Sequence, residues 1–265
     1  MGVLQLQTFL TRYIRDKSLR EKVKSLPIET RYSEFGFSKE ELKLAVSLDF
    51  TQLDRTVNQL DRERRAKRRA DFAEFTTVLQ QVGVFDSFFS SFCKRYTDGF
   101  LTPDVEAKRF YDHAQQYIYD NQLPDILADL ATYSFQVFNV SQVSLQDPYN
   151  NISLNFDRPL YLKRPFSIKT VSYNLIDIID NDEIKRIEDL AVIPKKQTTY
   201  FFQKDYLNAI SSNIFEIDDP IFFRLLDNNL TGNEILNKAD SLEEMEEWKN
   251  MICEIYDLEI IGMRD

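Results

Sequence analysis

Few residues in this chain have the type and spacing to do chemistry. It holds one histidine, His113, and two cysteines, Cys93 and Cys253. A single imidazole builds neither a His-rich zinc site nor a two-His facial triad within one chain. A thiol becomes a nucleophile beside a base, and nothing in the sequence around Cys93 supplies one. The six glycines are scattered, so no glycine-rich phosphate loop forms. Carboxylates are plentiful, but spacing alone does not single out an acid–base pair. We therefore expect no catalytic residue, no metal site and no cofactor. His113, among Tyr111, Tyr117 and Tyr119, reads as a packed or exposed helical residue, and the cysteines as two buried thiols rather than a disulfide framework.

Charge is the stronger signal. The run Arg62-Glu63-Arg64-Arg65-Ala66-Lys67-Arg68-Arg69 suits a patch for an acidic partner or nucleic acid. It suits a solvated helix face better, offset by Asp61, Glu63 and Asp71. The cluster Glu243-Glu244-Met245-Glu246-Glu247 opens a helix, where acids favour the helix dipole. It also suits recognition of a basic segment. Residues 1–145 balance 20 Lys+Arg against 20 Asp+Glu, whereas residues 146–265 hold 13 against 23, so the whole formal charge of −10 lies in the second part. Phosphate contacts need cations, so this argues against nucleic acid there and favours a basic polypeptide surface.

The elements that must position these residues fall into two groups. Leu6, Phe9, Leu10, Tyr13 and Ile14 follow an amphipathic helical stripe. Ser18 is a candidate cap for a second helix carrying Leu19 and Val23. Gly36 suits a turn, and Ser38 with Glu41 makes a capping box before Leu42, Ala45, Val46 and Leu48. Asp49 caps a long helix whose stripe runs from Leu53, Val57 and Leu60 to Phe72, Phe75, Val78 and Leu79. Further helices are expected near 84–96, 103–119 and 123–138. The composition shifts at Ser144–Asn151, which sets the boundary between an all-α part, 1–145, and an α+β part, 146–265.

Beyond it, Phe166–Tyr173 alternates apolar and polar residues as a half-buried strand does. Thr198–Phe202 and Asn213–Ile217 predict two more strands, with a possible hairpin connection between them. Three helices follow. Asp219-Pro220 opens the first, Thr231 with Glu234 the second, and Ser241 with Glu244 the third, which carries Met245, Trp248, Ile252 and Ile255. Trp248 belongs to the core. The order β-β-β-α-α-α predicts a winged-helix-like β3α3 domain. No apolar run is long enough to span a membrane. The start of the sequence carries neither a secretory pattern nor, with Leu6, a myristoylation pattern. The sequons at Asn139, Asn151 and Asn229 mean little without secretion. A cytoplasmic protein is expected.

Asp16–Arg20, Phe35–Ser38, Leu48–Leu53 and Arg64–Arg69 resemble the N-terminal part of partner proteins of multinuclear non-haem iron oxidative enzymes. Those enzymes modify ribosomally made peptides in bacteria. Phe222–Ile235 is similar to the helix, tight turn and Thr-x-x-Glu-Ile stretch of precursor-peptide recognition domains. The usual Asp-Gly of that turn is Asp227-Asn228-Asn229 here, and Asn tolerates a left-handed backbone. Such domains take a leader peptide as an added strand beside their third strand and against their third helix. The resemblance implies a non-catalytic partner that presents a precursor peptide to an iron-dependent modifying enzyme. It maps the peptide site to Ile214, Phe215, Ile217, Met245, Lys249, Ile252 and Tyr256. Enzyme docking would fall on the helical part, with Arg64, Arg65, Arg68 and Arg69 as candidates. A winged-helix transcriptional regulator and a plain protein-interaction module remain as alternatives.

Overall fold

A computed structural model describes residues 4–27, 30–96, 101–150, 152–179, 181, 183–208 and 211–264. Asn151 and the first three residues, invoked above, lie outside the described residues. The architecture is α+β, with most helices in the first part and the strands in the second. Two compact units form: residues 1–123 with 183–187, and residues 124–182 with 188–265.

Unit 1 contains α1 (Leu4–Arg15), α2 (Lys17–Ser25), α3 (Lys39–Val46), α4 (Phe50–Asp71), α5 (Ala73–Gln81), α6 (Phe85–Arg95) and α7 (Pro103–Asp120). Leu6, Phe9, Tyr13, Leu19 and Val23 pack with Tyr32, Ala45 and Val57 in one apolar cluster. Asp16, rather than Ser18, caps α2: its carboxylate accepts from the N–H groups of Ser18 and Leu19 and from the Ser18 hydroxyl. The carboxylate two residues earlier stands at the position that reaches the first orphan donors of the helix. The Ser38–Glu41 capping box closes, and the second Glu41 oxygen accepts from the N–H groups of Gln5 and Leu6 at the start of α1. One buried carboxylate thus ties two helix starts together. These donors hold it below the usual carboxylate range, Ser38 contributing most. Gly36 ends a 3-10 turn at φ 60°, the left-handed conformation that glycine adopts at low cost. The expected long helix breaks at Phe72, whose backbone (φ −131°, ψ 48°) separates α4 from α5.

Unit 2 opens with α8 (Ile126–Gln142) and continues with β1 (Leu160–Leu162), β2 (Phe166–Val171), α9 (Ile176–Ile179), α10 (Ile187–Ala191), β3 (Thr198–Lys204), β4 (Ser212–Glu216), α11 (Pro220–Leu226), α12 (Gly232–Leu236), α13 (Leu242–Asp257) and β5 (Ile261–Met263). The division falls at Leu123/Pro124, so α8 sits with the sheet and not with the helices before the composition shift. Packing is the reason: Tyr133 meets Tyr200 and Phe202 edge-on at 5.3 and 5.1 Å. The sheet has the order β2-β3-β4, antiparallel throughout, and β3–β4 form the hairpin. Phe201, on the opposite face of β3, packs with Phe223 and the cluster built from α11, α12 and α13. Covered on both faces, β3 carries the continuous run Tyr200-Phe201-Phe202 instead of an alternation.

Asp219 caps α11 through the N–H groups of Ile221 and Phe222, and its second oxygen accepts from Trp248 Nε1 at 3.0 Å. Trp248 is buried as expected. The Thr231–Glu234 box closes. At α13 only half of the box forms: Ser241 caps the Glu244 N–H, but the Glu244 carboxylate takes the N–H of Asp240. Asn229 adopts φ 57°, the left-handed turn residue that its type allows. Strands β1 and β5, which the sequence did not signal, pair antiparallel. A Cβ at Gly262 would come within 2.8 Å of the Tyr161 ring, so a larger residue there would have to displace the end of that side chain.

Candidate functional site

The sequence-predicted peptide residues fall into two environments. β4 is an edge strand. The N–H of Ile217 donates to Thr199 O at 2.7 Å, and that of Asp205 to Ser211 O at 3.1 Å. Antiparallel ladders alternate. The register Phe201↔Phe215 and Gln203↔Asn213 therefore turns the backbone groups of 213, 215 and 217 toward β3. Those of Ile214 and Glu216 point away from the sheet, with no hydrogen bond among the described residues. The available feature is therefore the main chain of Ile214 and Glu216. Phe215 stacks on Phe201 at 5.1 Å and meets Phe223 at 5.8 Å, and Ile217 is buried in the same cluster. As side chains, both belong to the core and not to an exposed edge.

The helix residues divide similarly. Lys249 is exposed beside Glu246, and Met245 is half-buried against the core. Ile252 and Tyr256 are buried, the Tyr256 hydroxyl donating to Ile152 O at 2.9 Å. They are structural, because the inward face of α13 carries Trp248, Ile252, Ile255 and Tyr256 at helical spacing. Cys253 lies on the opposite face and is exposed, against the expectation of a buried thiol; Cys93 is half-buried, and both are free.

The four docking arginines do not form one patch. Arg64 pairs with Glu106 and lies over the Phe92 ring. Arg65 pairs with Asp86 and covers Phe85 and Phe89. Arg69 is exposed. Arg68 is buried, so it cannot meet a partner surface. Its Nη2 lies 2.6 Å from Asp71 but off the hydrogen-bonding direction, and none of its three nitrogens has an acceptor among the described residues. Burial lowers its pKa, with Asp71 and Glu106 opposing. A helix of 22 residues turns through every direction, so the six basic residues of the run 62–69 cannot share one face.

Chemistry elsewhere is sparse. His113 is buried against Phe88, Phe92, Tyr96 and Tyr117, and neither ring nitrogen makes a well-directed hydrogen bond among the described residues, the Phe88 backbone being near enough only to oppose the pKa shift weakly. Burial, helped by the charge of Arg95, lowers its pKa to about 4, so the ring is neutral at pH 7. Burial also pushes the Cys93 thiol up, Arg64 opposing. A raised thiol pKa is the reverse of what a nucleophile needs. Among the described residues no group of three His, Cys, Asp or Glu side chains is arranged to hold a metal ion. No helix there is long and apolar enough to cross a membrane.

Sequence reading missed a buried polar stitch in unit 2. Lys163, fully buried, ion-pairs with Glu259 and donates to Pro148 O at 2.8 Å. Glu259 also accepts from the Asn150 N–H at 3.0 Å. Gln203 donates to the carbonyls of Lys163 and Ile260. Glu259 adopts φ 60°, and no local pattern announces that such a residue is buried.

No protein-family model matches the chain, and no curated protein sequence matches it.

Proposed function

We propose that the protein is a non-catalytic, cytoplasmic partner that binds an extended segment of another polypeptide along the free edge of β4. In this reading unit 2 is a winged-helix-like precursor-peptide recognition module, and a separate iron-dependent enzyme modifies the peptide it presents. The observation that carries the reading is the pair of outward-facing main-chain groups at Ile214 and Glu216, on a strand anchored by Phe215 and Ile217. A strand held rigidly by core aromatics, with its outer edge open, is the geometry that β-augmentation uses.

The opposite edge is less suited. β2 exposes Lys169 and Thr170, and an edge lysine discourages strand addition. β4 carries no lysine, and its one charged residue, Glu216, is acidic. Acidic side chains at Asp218 and along the start of α13 favour a basic peptide. A three-stranded antiparallel sheet with α11, α12 and α13 after its last strand supports the winged-helix-like assignment, while α9 and α10 interrupt the simple β-β-β-α-α-α order between β2 and β3. Two free thiols suit a reducing compartment.

The test uses a fluorescent peptide of alternating Ile and Lys residues, with a proline-interrupted version as control. Glu216→Pro removes one outward N–H while leaving the ladder bonds to β3, and such a proline is tolerated at a strand edge. The expected result is saturable anisotropy for the first peptide only, lost in Glu216→Pro at unchanged melting temperature. No binding, or equal binding to both protein forms, overturns the reading.

A further inference from the structure

A cleft of about 670 Å³ opens in unit 1 between α2, α4 and α6. Its wall comes from successive turns of each helix: Lys17 and Arg20; Asn58, Asp61, Arg62 and Arg65; Phe89, Ser90, Cys93 and Lys94. Five of these side chains are cationic and one is anionic, in a protein whose formal charge is −10. Three cations have partners. Arg20 donates to the Tyr13 and Ile14 carbonyls and lies 3.6 Å from Asp61; Lys17 lies 3.9 Å from Glu21; Arg65 pairs with Asp86. Arg62 and Lys94 make no ion pair among the described residues, and both are exposed on the cleft.

We propose that this cleft binds a phosphorylated small molecule of nucleotide size. It is separate from the β4 edge and does not depend on the peptide reading. Volumes of roughly 300–1,000 Å³ are typical of small-molecule sites. A concave, net-positive wall concentrates anions even on an acidic protein. Guanidinium groups offer paired donors that match phosphate oxygens, and ammonium groups bind phosphate as point charges. The Arg65 guanidinium lies 5.0 Å above the Phe89 ring, which pre-orients its fork at the cleft wall. Asn58 and Ser90 add neutral hydrogen-bonding groups for the rest of the ligand. The wall of a membrane or of a long nucleic acid would need a broad positive face. Here Asp86, Glu21 and Asp61 flank the cations instead and favour a compact anion.

Calorimetric titration of the full chain with ATP and, separately, with tripolyphosphate tests this, the two arms distinguishing a nucleotide from free polyphosphate. Saturable binding of at least one is expected. Arg62→Ala combined with Lys94→Ala should weaken it at least about tenfold, the loss of charged phosphate contacts. Lys43→Ala, an exposed cation on α3, should leave it unchanged. Because Arg62 and Lys94 are exposed, the double variant should melt with the parent. In a Cys253→Ser background, bound ligand should also slow alkylation of Cys93. Failure of both ligands to bind overturns the proposal, as does binding that ignores the double substitution. Tighter, strongly salt-dependent binding of a single-stranded oligonucleotide than of either probe also overturns it, in favour of a nucleic-acid surface.

Discussion

The two units hold their largest buried cations differently. In unit 2 the buried Lys163 is matched: its ammonium meets Glu259 and a carbonyl, and Glu259 in turn accepts from the backbone of Asn150. In unit 1 the buried Arg68 has an ionic neighbour in Asp71 but no hydrogen-bond acceptor among the described residues, and the buried His113 ring lies among aromatic neighbours. A satisfied buried network holds one arrangement, whereas an unsatisfied group is carried at a cost. Unit 2, the unit with the proposed strand-edge site, is therefore the one built to present its backbone in a fixed place.

This contrast can be broken most sharply at Lys163. Lys163→Met leaves the Glu259 carboxylate buried without its counter-ion. It should cost about 3–5 kcal/mol, read as a loss of denaturant midpoint. His113 tests the other unit. Its pKa is about 4 folded and 6.5 unfolded. The unfolded chain therefore takes up the proton first, and stability falls as pH drops from 6.5 toward 4, then levels. Removing the imidazole in His113→Phe should flatten that part of the pH–stability profile by on the order of 3 kcal/mol. A profile unchanged by the substitution would mean that the ring is hydrated and charged. Next comes Asp219, which caps α11 and holds Trp248. Asp219→Ala should cost about 1–2 kcal/mol in thermal denaturation. The smallest effect is expected at Arg68. Arg68→Met keeps the stem packing and takes one of two cations from the Asp71 carboxylate, but Lys67 stays 3.3 Å from it, so the substitution should cost about 1 kcal/mol. A large loss there would show that the guanidinium is satisfied after all, and would erase the contrast between the units.

Local signals in the sequence were readable because they depend on a few neighbouring atoms. The Ser38–Glu41 and Thr231–Glu234 boxes, the Asp49 and Asp219 caps, the left-handed Gly36 and the three strands of the sheet all follow from short-range chemistry. The Asp16 cap was misassigned to Ser18 because both residues stand at a plausible cap position and only the backbone geometry selects between them.

What lies across the chain was not readable. That α8 joins the sheet depends on Tyr133 finding Tyr200 and Phe202, partners more than sixty residues away. The residues named for a peptide site lie on or beside β4 and on α13, but which of them turn into the core was not readable. The alternation that turns Phe215 and Ile217 into the core and leaves the Ile214 and Glu216 main chain outside is set by pairing with β3. The basic run shows the same limit. Its composition follows from the sequence, but which arginine is buried, paired or turned to the cleft follows from the helices around α4. Sequence by itself determined most capped helix starts and the three strands of the larger sheet, because those depend on contacts within one or two turns. Only the tertiary structure decided which backbone groups and which charges remain unpaired, because pairing is made by residues that the chain brings together from far apart.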